Sequence, residues 1–334
     1  MENKATSLIK YLKLYELVAK LYNHILLNTV EGEKALAYLE SRKITRDTIK
    51  KLNIGYSYKG NILRHLLNTH GYNLEIEKEY GLFKQFEKEP KYRDFFYGRI
   101  MFPIRNEYGQ ILAFAGRTLP HNTHPAKYLN TPETPYFCKG EVIYNLDMAK
   151  RSIKEKDVAI LLEGYFDTAI AAQSGLLNVI SLMGTTLTEA QVIKLRQLTN
   201  RVILCLDGDK AGYQSAKRNS ELLLAWGFEV RIAIIPEGRD PHEFIVEHGI
   251  ERFVQKVIKN ALPYLQFIKE YTKLDKNLTT EIDQLQYVNE VLQFLNSVPA
   301  TKEQRMYFKD LAQDVGISTD FCRQVIRTKL NNFL

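Results

Sequence analysis

Cysteine is scarce in this 334-residue chain: Cys138, Cys205 and Cys322 lie far apart and form no CxxC pair. That spacing excludes a cysteine zinc site and a disulfide framework within the chain. Such sparse usage fits a reducing compartment, so a cytoplasmic protein is expected. No apolar run reaches the roughly 20 residues that a membrane-crossing helix needs, so no membrane partner is expected. The opening Met1-Glu2-Asn3-Lys4 leads into charged, amphipathic sequence rather than a secretory signal. No glycine-rich string ending in Gly-Lys-Ser or Gly-Lys-Thr occurs, which disfavours P-loop chemistry. Internal repeats and low-complexity segments are also missing.

What is present is an ordinary globular composition. Hydrophobic residues make up 45% and charged residues 25%, which argues against disorder, collagen and coiled coil. At roughly 100 to 200 residues per domain, the length predicts two or three domains. Lys plus Arg is 46 against 39 for Asp plus Glu, a net +7. Residues 1–60 hold 11 basic and 6 acidic side chains, so +5 of that excess sits there. A basic chain suits a polyanionic partner; the bland alternative is a solvated basic surface.

Hydrophobic spacing predicts a helix over 8–27, where Leu8, Tyr11, Leu12, Tyr15, Val18, Ala19, Tyr22, Ile25 and Leu26 recur at helical period. A second helix is predicted over Gly32–Ser41, then a turn-rich stretch with Gly55, Gly60, Gly71 and Gly81. Phe95–Ile104 and Gln110–Arg117 read as two strands of a hairpin. Residues 118–140 carry Pro120, Pro125, Pro132 and Pro135 without periodicity and read as a long loop, a length usually functional or disordered. From Val158 the pattern alternates. Strands are predicted at Val158–Leu162, Asn178–Leu182, Val202–Leu206 and Val230–Ile235. Helices are predicted at Phe166–Ser174, Thr188–Leu198 and Gly212–Trp226. This is the signature of a parallel α/β sheet. Helical period dominates after about residue 250.

The chemistry concentrates at the ends of two apolar strands. Glu163 follows Leu161-Leu162, and Asp207-Gly208-Asp209 follows Leu206. Ligands of open α/β sheets collect beyond the carboxyl ends of the strands. Two unit charges about 4 Å apart repel by roughly 4 kcal/mol at an effective dielectric of 20. Converging carboxylates therefore call for a proton or a cation, and oxygen-only donors suit Mg²⁺ or Mn²⁺. The alternative for any one acid is a helix cap or a loop residue.

Leu162-Glu163-Gly164-Tyr165-Phe166-Asp167 with Leu206-Asp207-Gly208-Asp209-Lys210-Ala211-Gly212 resembles a Toprim domain. Arg99-Ile100-Met101-Phe102-Pro103-Ile104-Arg105, Gly116-Arg117, Lys127-Tyr128-Leu129-Asn130-Thr131-Pro132-Glu133-Thr134, Tyr38-Leu39 with Arg42, and Met183-Gly184-Thr185 narrow the resemblance to the bacterial replicative primases of the DnaG type. It covers residues 8 to about 325. The Lys-Tyr-Leu-Asn-x-Pro-Glu-Thr and Glu-Gly-Tyr-x-Asp strings are its most specific parts.

The resemblance implies a Toprim-type (Rossmann-like) parallel sheet flanked by a mixed α/β N-terminal subdomain and a C-terminal helical bundle. The expected division is 1–156, 157–245 and 246–334. It implies a catalytic metal centre at Glu163, Asp207 and Asp209, with Asp167 and Asp240 as supporting acids, Mg²⁺ or Mn²⁺ as cofactor and no zinc in this chain. Arg42, Arg99, Arg117, Lys127, Asn130, Lys139 and Lys210 are the implied nucleic-acid and nucleotide contacts. The implied activity is a DNA-directed RNA polymerase making short primers on a single-stranded DNA template from ribonucleoside triphosphates. An RNA–DNA hybrid is a transient partner, and a monomer is expected. A Toprim nuclease or a nucleic-acid-binding module is the alternative. The zinc-binding module is expected before residue 1 and the helicase-binding module after residue 334, so that the replicative helicase is met only through a domain absent here.

Three departures from the family pattern stand out. His242 occupies an acidic position of Asp-Pro-Asp and is read as a tolerated surface replacement that removes one metal-binding carboxylate. Tyr97 stands where an Arg is usual and is read as a packing residue. Lys43 stands where Gly is preferred.

Overall fold

The computed structural model describes residues 4–58, 60–72, 80–85, 92–120, 126–297, 310–311 and 313–316. Pro125 and Cys322 of the sequence reading lie outside them, as does the chain after 316.

The N-terminal part is a long helix laid on a small antiparallel sheet. Helix α1 (Lys4–Asn28) buries Tyr11, Leu14, Tyr15, Val18, Ala19, Tyr22, Ile25 and Leu26, the stripe its periodicity predicts. Helices α2 (Glu33–Ser41) and α3 (Arg46–Leu52) follow, then strand β1 (Gly55–Ser57) and helix α4 (Ile62–Thr69). The turn-rich stretch read from its glycines therefore holds two helices and a strand. Thr45 caps α3 by accepting the amide of Thr48 at 3.2 Å. Lys43 has φ 61°, a left-handed conformation that Gly adopts without penalty. A short ribbon pairs β2 (Phe83–Gln85) with β3 (Tyr92–Asp94).

Strands β4 (Arg99–Arg105) and β5 (Ile111–Thr118) form the predicted antiparallel hairpin. Phe95 to Gly98 form a turn rather than the start of β4. The Pro-rich segment is not wholly a loop: β6 (Tyr128–Asn130) pairs antiparallel with β5, completing a sheet in the order β1-β4-β5-β6. Three residues are too few to show alternation, which is why the pattern concealed it.

Helix α5 (Leu146–Lys156) leads into the second sheet. Its units are β7 (Ala159–Leu162), α6 (Tyr165–Gln173), β8 (Val179–Ser181), α7 (Glu189–Arg196), β9 (Arg201–Leu204), α8 (Lys210–Ala225) and β10 (Glu229–Ile232). Thr188 and Gln191 make the capping box their spacing predicts. After α9 (Pro241–His248) and α10 (Ile250–Phe253), strand β11 (Leu262–Pro263) adds an antiparallel edge. The order is β11-β10-β9-β7-β8, with the three pairings among β7 to β10 parallel as expected. Helices α11 (Tyr264–Lys273) and α12 (Glu281–Ser297) follow.

Apolar packing runs across residues 157 and 246. One cluster joins Ile100 and Phe102 to Leu162, Phe166, Phe253 and Val257; another joins Ile153 of α5 to Leu161, Leu204, Phe267 and Ile268. Tyr144 and Ser181 exchange backbone hydrogen bonds of 3.0 and 3.2 Å, tying the segment before α5 to β8.

Helix α1 lies close against β1. A methyl on Gly55 would lie 2.5 Å from the Tyr22 carbonyl carbon and Cβ, closer than packed atoms tolerate. Gly55→Ala should therefore destabilise the protein by about 1–3 kcal/mol, the usual cost of overpacking. The measurement is a urea melt, with a lower midpoint at unchanged slope expected. A wild-type midpoint would show that helix and strand move apart freely.

Candidate active site

Parallel pairing of β7 with β9 sets their carboxyl ends side by side. Leu161 pairs with Leu204, and the Cys205 amide continues the ladder to the Leu161 carbonyl at 2.9 Å. Glu163 and Asp207 consequently leave adjacent strand ends. The Asp207 amide donates to Glu163 Oε2 at 3.2 Å. Gly208 turns the chain where no side chain fits, since its Cβ would lie 2.8 Å from the Ile235 carbonyl oxygen. Asp209 starts α8 and accepts the Gly212 amide at 2.8 Å. Asp240 starts α9 and accepts the Glu243 amide at 2.6 Å. Asp167, in the first turn of α6, accepts the Gly164 amide at 2.8 Å and the His242 amide at 3.2 Å.

Two of these acids thus do serve as helix caps, the bland alternative, yet all five belong to one electrostatic cluster. Burial, then Glu163, Asp167, Asp240 and Asp209, push the Asp207 carboxyl up to about 8. Burial and then Asp240 raise Asp167 to about 7. Burial foremost, with Asp209 and Asp240, raises Glu163 as well. Asp207 Oδ1 is buried without a hydrogen-bond partner. Among the described residues no three His, Cys, Asp or Glu side chains form a ready-made metal cage. The orphaned Asp207 oxygen beside Glu163 nevertheless fits a hard cation. Mg²⁺ commonly takes only one or two protein carboxylates and keeps its remaining positions for water and phosphate.

The basic residues divide. Arg117 is buried, with its Cζ 4.6 Å from the Phe166 ring centroid, 5.3 Å from that of Tyr38 and 5.5 Å from that of Tyr128. Arg42 lies 5.3 Å from the same Phe166 centroid. The Nε atoms of both guanidiniums are buried without a hydrogen-bond partner. Phe166 is therefore the floor of a cationic shelf, a role its place in a helical string did not signal. Lys127 is exposed. Lys139 is half-buried, with Nζ near Gly184, where an added Cβ would lie 3.4 Å from it. Lys210 pairs with Asp275 at 3.0 Å. Asn130 accepts from the Tyr165 hydroxyl at 2.9 Å and donates to the Met183 carbonyl at 3.1 Å, joining the two sheets.

Arg99 departs from the expectation of a groove contact. It is 2% exposed and donates to the carbonyls of Gly116 (3.0 Å), Ala126 (3.0 Å) and Lys127 (3.3 Å). It braces the strand carrying Arg117 and the segment carrying Lys127. Two further corrections concern the replaced positions. His242 is 3% exposed, not a surface residue, and bonds Arg42 through both ring nitrogens. Tyr97 is 46% exposed rather than packed.

Acids at adjacent carboxyl ends of a parallel sheet define the class as a Toprim-type domain, and a family model described as Toprim-like matches residues 160–245. The model of the DNA primase catalytic core, N-terminal domain, matches residues 22–150. Among curated proteins, a DNA primase of Halalkalibacterium halodurans is 35% identical over 314 residues, covering 94% of this chain and 52% of the relative. Among solved structures, the E. coli primase catalytic core is 30% identical with a TM-score of 0.73, covering 91% of this chain and 98% of that one. A structure described as the DnaG primase catalytic domain bound to ssDNA is 28% identical with a TM-score of 0.76, covering 95% and 99%. The chain belongs to the bacterial DnaG-type DNA primase family, in the region of its catalytic core. It spans about half the length of the curated relatives it matches.

A third model, the DnaB-helicase binding domain of primase, matches residues 265–320. This corrects the expectation that the helicase-binding module lies only after residue 334. The helical period of that region is a generic signal and did not mark it.

Two predictions rest on this geometry. Asp167 and Asp207 bind protons more tightly folded than unfolded, so folding takes up protons and stability falls as pH rises from about 4 to about 8. In metal-free protein the melting temperature should drop over that window, and Asp207→Asn should flatten the slope. Mg²⁺ should raise the melting temperature more at the alkaline end. An unchanged slope in Asp207→Asn would show that this carboxyl ionises as an ordinary surface acid. For Arg99→Ala, the Gly116 and Ala126 carbonyls lose a donor while the Lys127 carbonyl keeps the Thr118 amide at 3.0 Å, so the cost should be about 2–6 kcal/mol, at about 1–3 kcal/mol per group left unsatisfied. Arg99→Lys should not restore it, since one ammonium cannot span the fork. A wild-type denaturation midpoint for Arg99→Ala would return Arg99 to the groove.

Proposed function

We propose that this chain is the nucleotidyl-transfer core of a primase, which copies single-stranded DNA into short RNA from ribonucleoside triphosphates. The observation that carries the reading is the unpartnered, buried Asp207 Oδ1 within five converging acids; two guanidiniums on the Phe166 ring add to it. Glu163, Asp207 and Asp209 would hold Mg²⁺ or Mn²⁺, with Asp167 and Asp240 as the acids behind them. Toprim primases as a family depend on metal. The bound ion would supply charge neutralisation for the triphosphate and the leaving pyrophosphate.

The chain's own residues do the rest by positioning and charge. Glu163, whose carboxyl is raised by burial and its acidic neighbours, would accept the proton of the primer 3′-hydroxyl. Arg42 and Arg117 meet phosphate from the shelf, and Lys127 and Lys139 meet it from the segment after β5. Arg99 and Asn130 hold that segment in place. The solved relative described with ssDNA supports a single-stranded template, and an RNA–DNA hybrid would follow in the same groove. The match over 265–320 supports contact with the replicative helicase through this chain itself.

A gel of protein with single-stranded DNA, labelled ribonucleotides and Mg²⁺ or Mn²⁺ tests the reading. Asp209→Asn is the control of choice, because Asn caps a helix as well as Asp while removing the charge. Metal-dependent short RNA, lost in Asp209→Asn, is expected. Lys127→Ala should weaken template binding and lower the salt slope by about one. Shortened DNA without RNA would replace this reading with a Toprim nuclease. Full synthesis by Asp209→Asn would sink the metal assignment.

A further inference from the structure

His242 touches both halves of the site. Its backbone amide donates to Asp167 Oδ1 at 3.2 Å, within the acidic cluster. Its ring reaches Arg42, 200 positions away in sequence, twice. Nε2 lies 2.8 Å from the Arg42 carbonyl oxygen, which can only accept. Nδ1 lies 3.1 Å from Arg42 Nη2, which can only donate. One protonation state satisfies both contacts, the neutral ring with its proton on Nε2. The ring edge also packs on Phe166, with centroids 5.9 Å apart at 79°.

Neutrality is the consequential feature. A carboxylate at this position would form a charge-assisted pair with Arg42 and spend its positive charge inside the protein. It would also add another negative group beside Asp167 and Asp240. Imidazole accepts one N–H, orients the fork and leaves the charge uncompensated by this contact. Its second bond, to the Arg42 carbonyl, fixes the backbone at the end of α2 from which that side chain springs.

We propose that His242 is a positioning residue that presents Arg42 as a fully charged contact for the polyphosphate of the incoming nucleotide. The inference rests on the reading above, in which the Phe166 shelf meets phosphate. It makes the binding of nucleotide, rather than the chemical step, depend on a neutral ring at position 242.

The test uses the full chain and two readouts. One is the affinity of inorganic tripolyphosphate, measured calorimetrically without divalent metal. The other is the split between KM and kcat for ribonucleotide in primer synthesis. Arg42→Ala should weaken tripolyphosphate about tenfold, the loss of one charged contact. His242→Ala and His242→Asp should each weaken it by about the same factor and raise KM with kcat nearly unchanged. His242→Gln, which stays neutral and offers one acceptor and one donor, should stay within about threefold of the parent, well inside the tenfold step. If Arg42→Ala is weakened while His242→Asp binds as the parent does, the residue is only a staple and the inference fails alone. If Arg42→Ala itself binds normally, the phosphate shelf fails and takes the inference with it. If His242→Ala does not fold, the Asp and Gln variants decide, since both keep a hydrogen-bonding group against Arg42. Equal affinity in those two would overturn the proposal.

Discussion

Five carboxylates crowd the space where β7, β9 and the start of α9 come together, and the rest of the molecule is arranged around their mutual repulsion. No cation of the described structure neutralises them: Lys210, adjacent in sequence, pairs with Asp275 instead. Backbone amides do the restraining. Gly164 and His242 donate to Asp167, Asp207 donates to Glu163, and Gly212 and Glu243 donate to Asp209 and Asp240. Amides at helix starts carry partial positive charge and cannot swing away as a lysine can. They hold the acids in place and leave Asp207 Oδ1 without a partner. The cost shows in the carboxyls of Asp167 and Asp207, which sit near neutrality instead of far below it. Local frustration of this kind marks a site that awaits a counter-charge.

Two guanidiniums come from the N-terminal part, and the core explains how they are held. Phe166 belongs to α6, directly after Glu163, yet its ring supports guanidiniums from α2 and β5. Because Phe102 and Tyr165 stack at 5.4 Å and Asn130 bridges to Met183, the antiparallel sheet cannot slide on the parallel one without breaking buried contacts. Acids and cations are therefore held at fixed separation by the shared core. That is why apolar packing ignores residues 157 and 246, where composition and period change.

Much of this was legible in the residues. Strand-helix alternation from Val158 onward announced the parallel sheet, because buried parallel strands read as short apolar runs separated by helical segments. Glu163 and Asp207-Gly208-Asp209 were legible for the same reason: an acid directly after such a run has its position fixed by the ladder. What escaped was set by contacts distant in sequence. β6 is three residues long and exists because β5 offers it an edge. β11 is two residues long and exists because β10 does. His242 looked like a surface replacement, since its place in a loop-to-helix turn says nothing of Arg42, two hundred residues earlier.

Arg99 and Lys127 show the limit most clearly. Both are basic, both lie in the strings that carry the family resemblance, and sequence gave them one role. Folding gives them different ones. Arg99 enters a strand whose residues are buried from Arg99 to Ile104, so its charge is admissible only with carbonyls to receive it, and Gly116, Ala126 and Lys127 supply them. Lys127 contributes its backbone oxygen to that arrangement and leaves its own side chain at the surface. One guanidinium is thereby committed to hold the strand and segment from which Arg117 and an exposed ammonium are presented. Burial separates Arg99 from Lys127, and burial belongs to the fold.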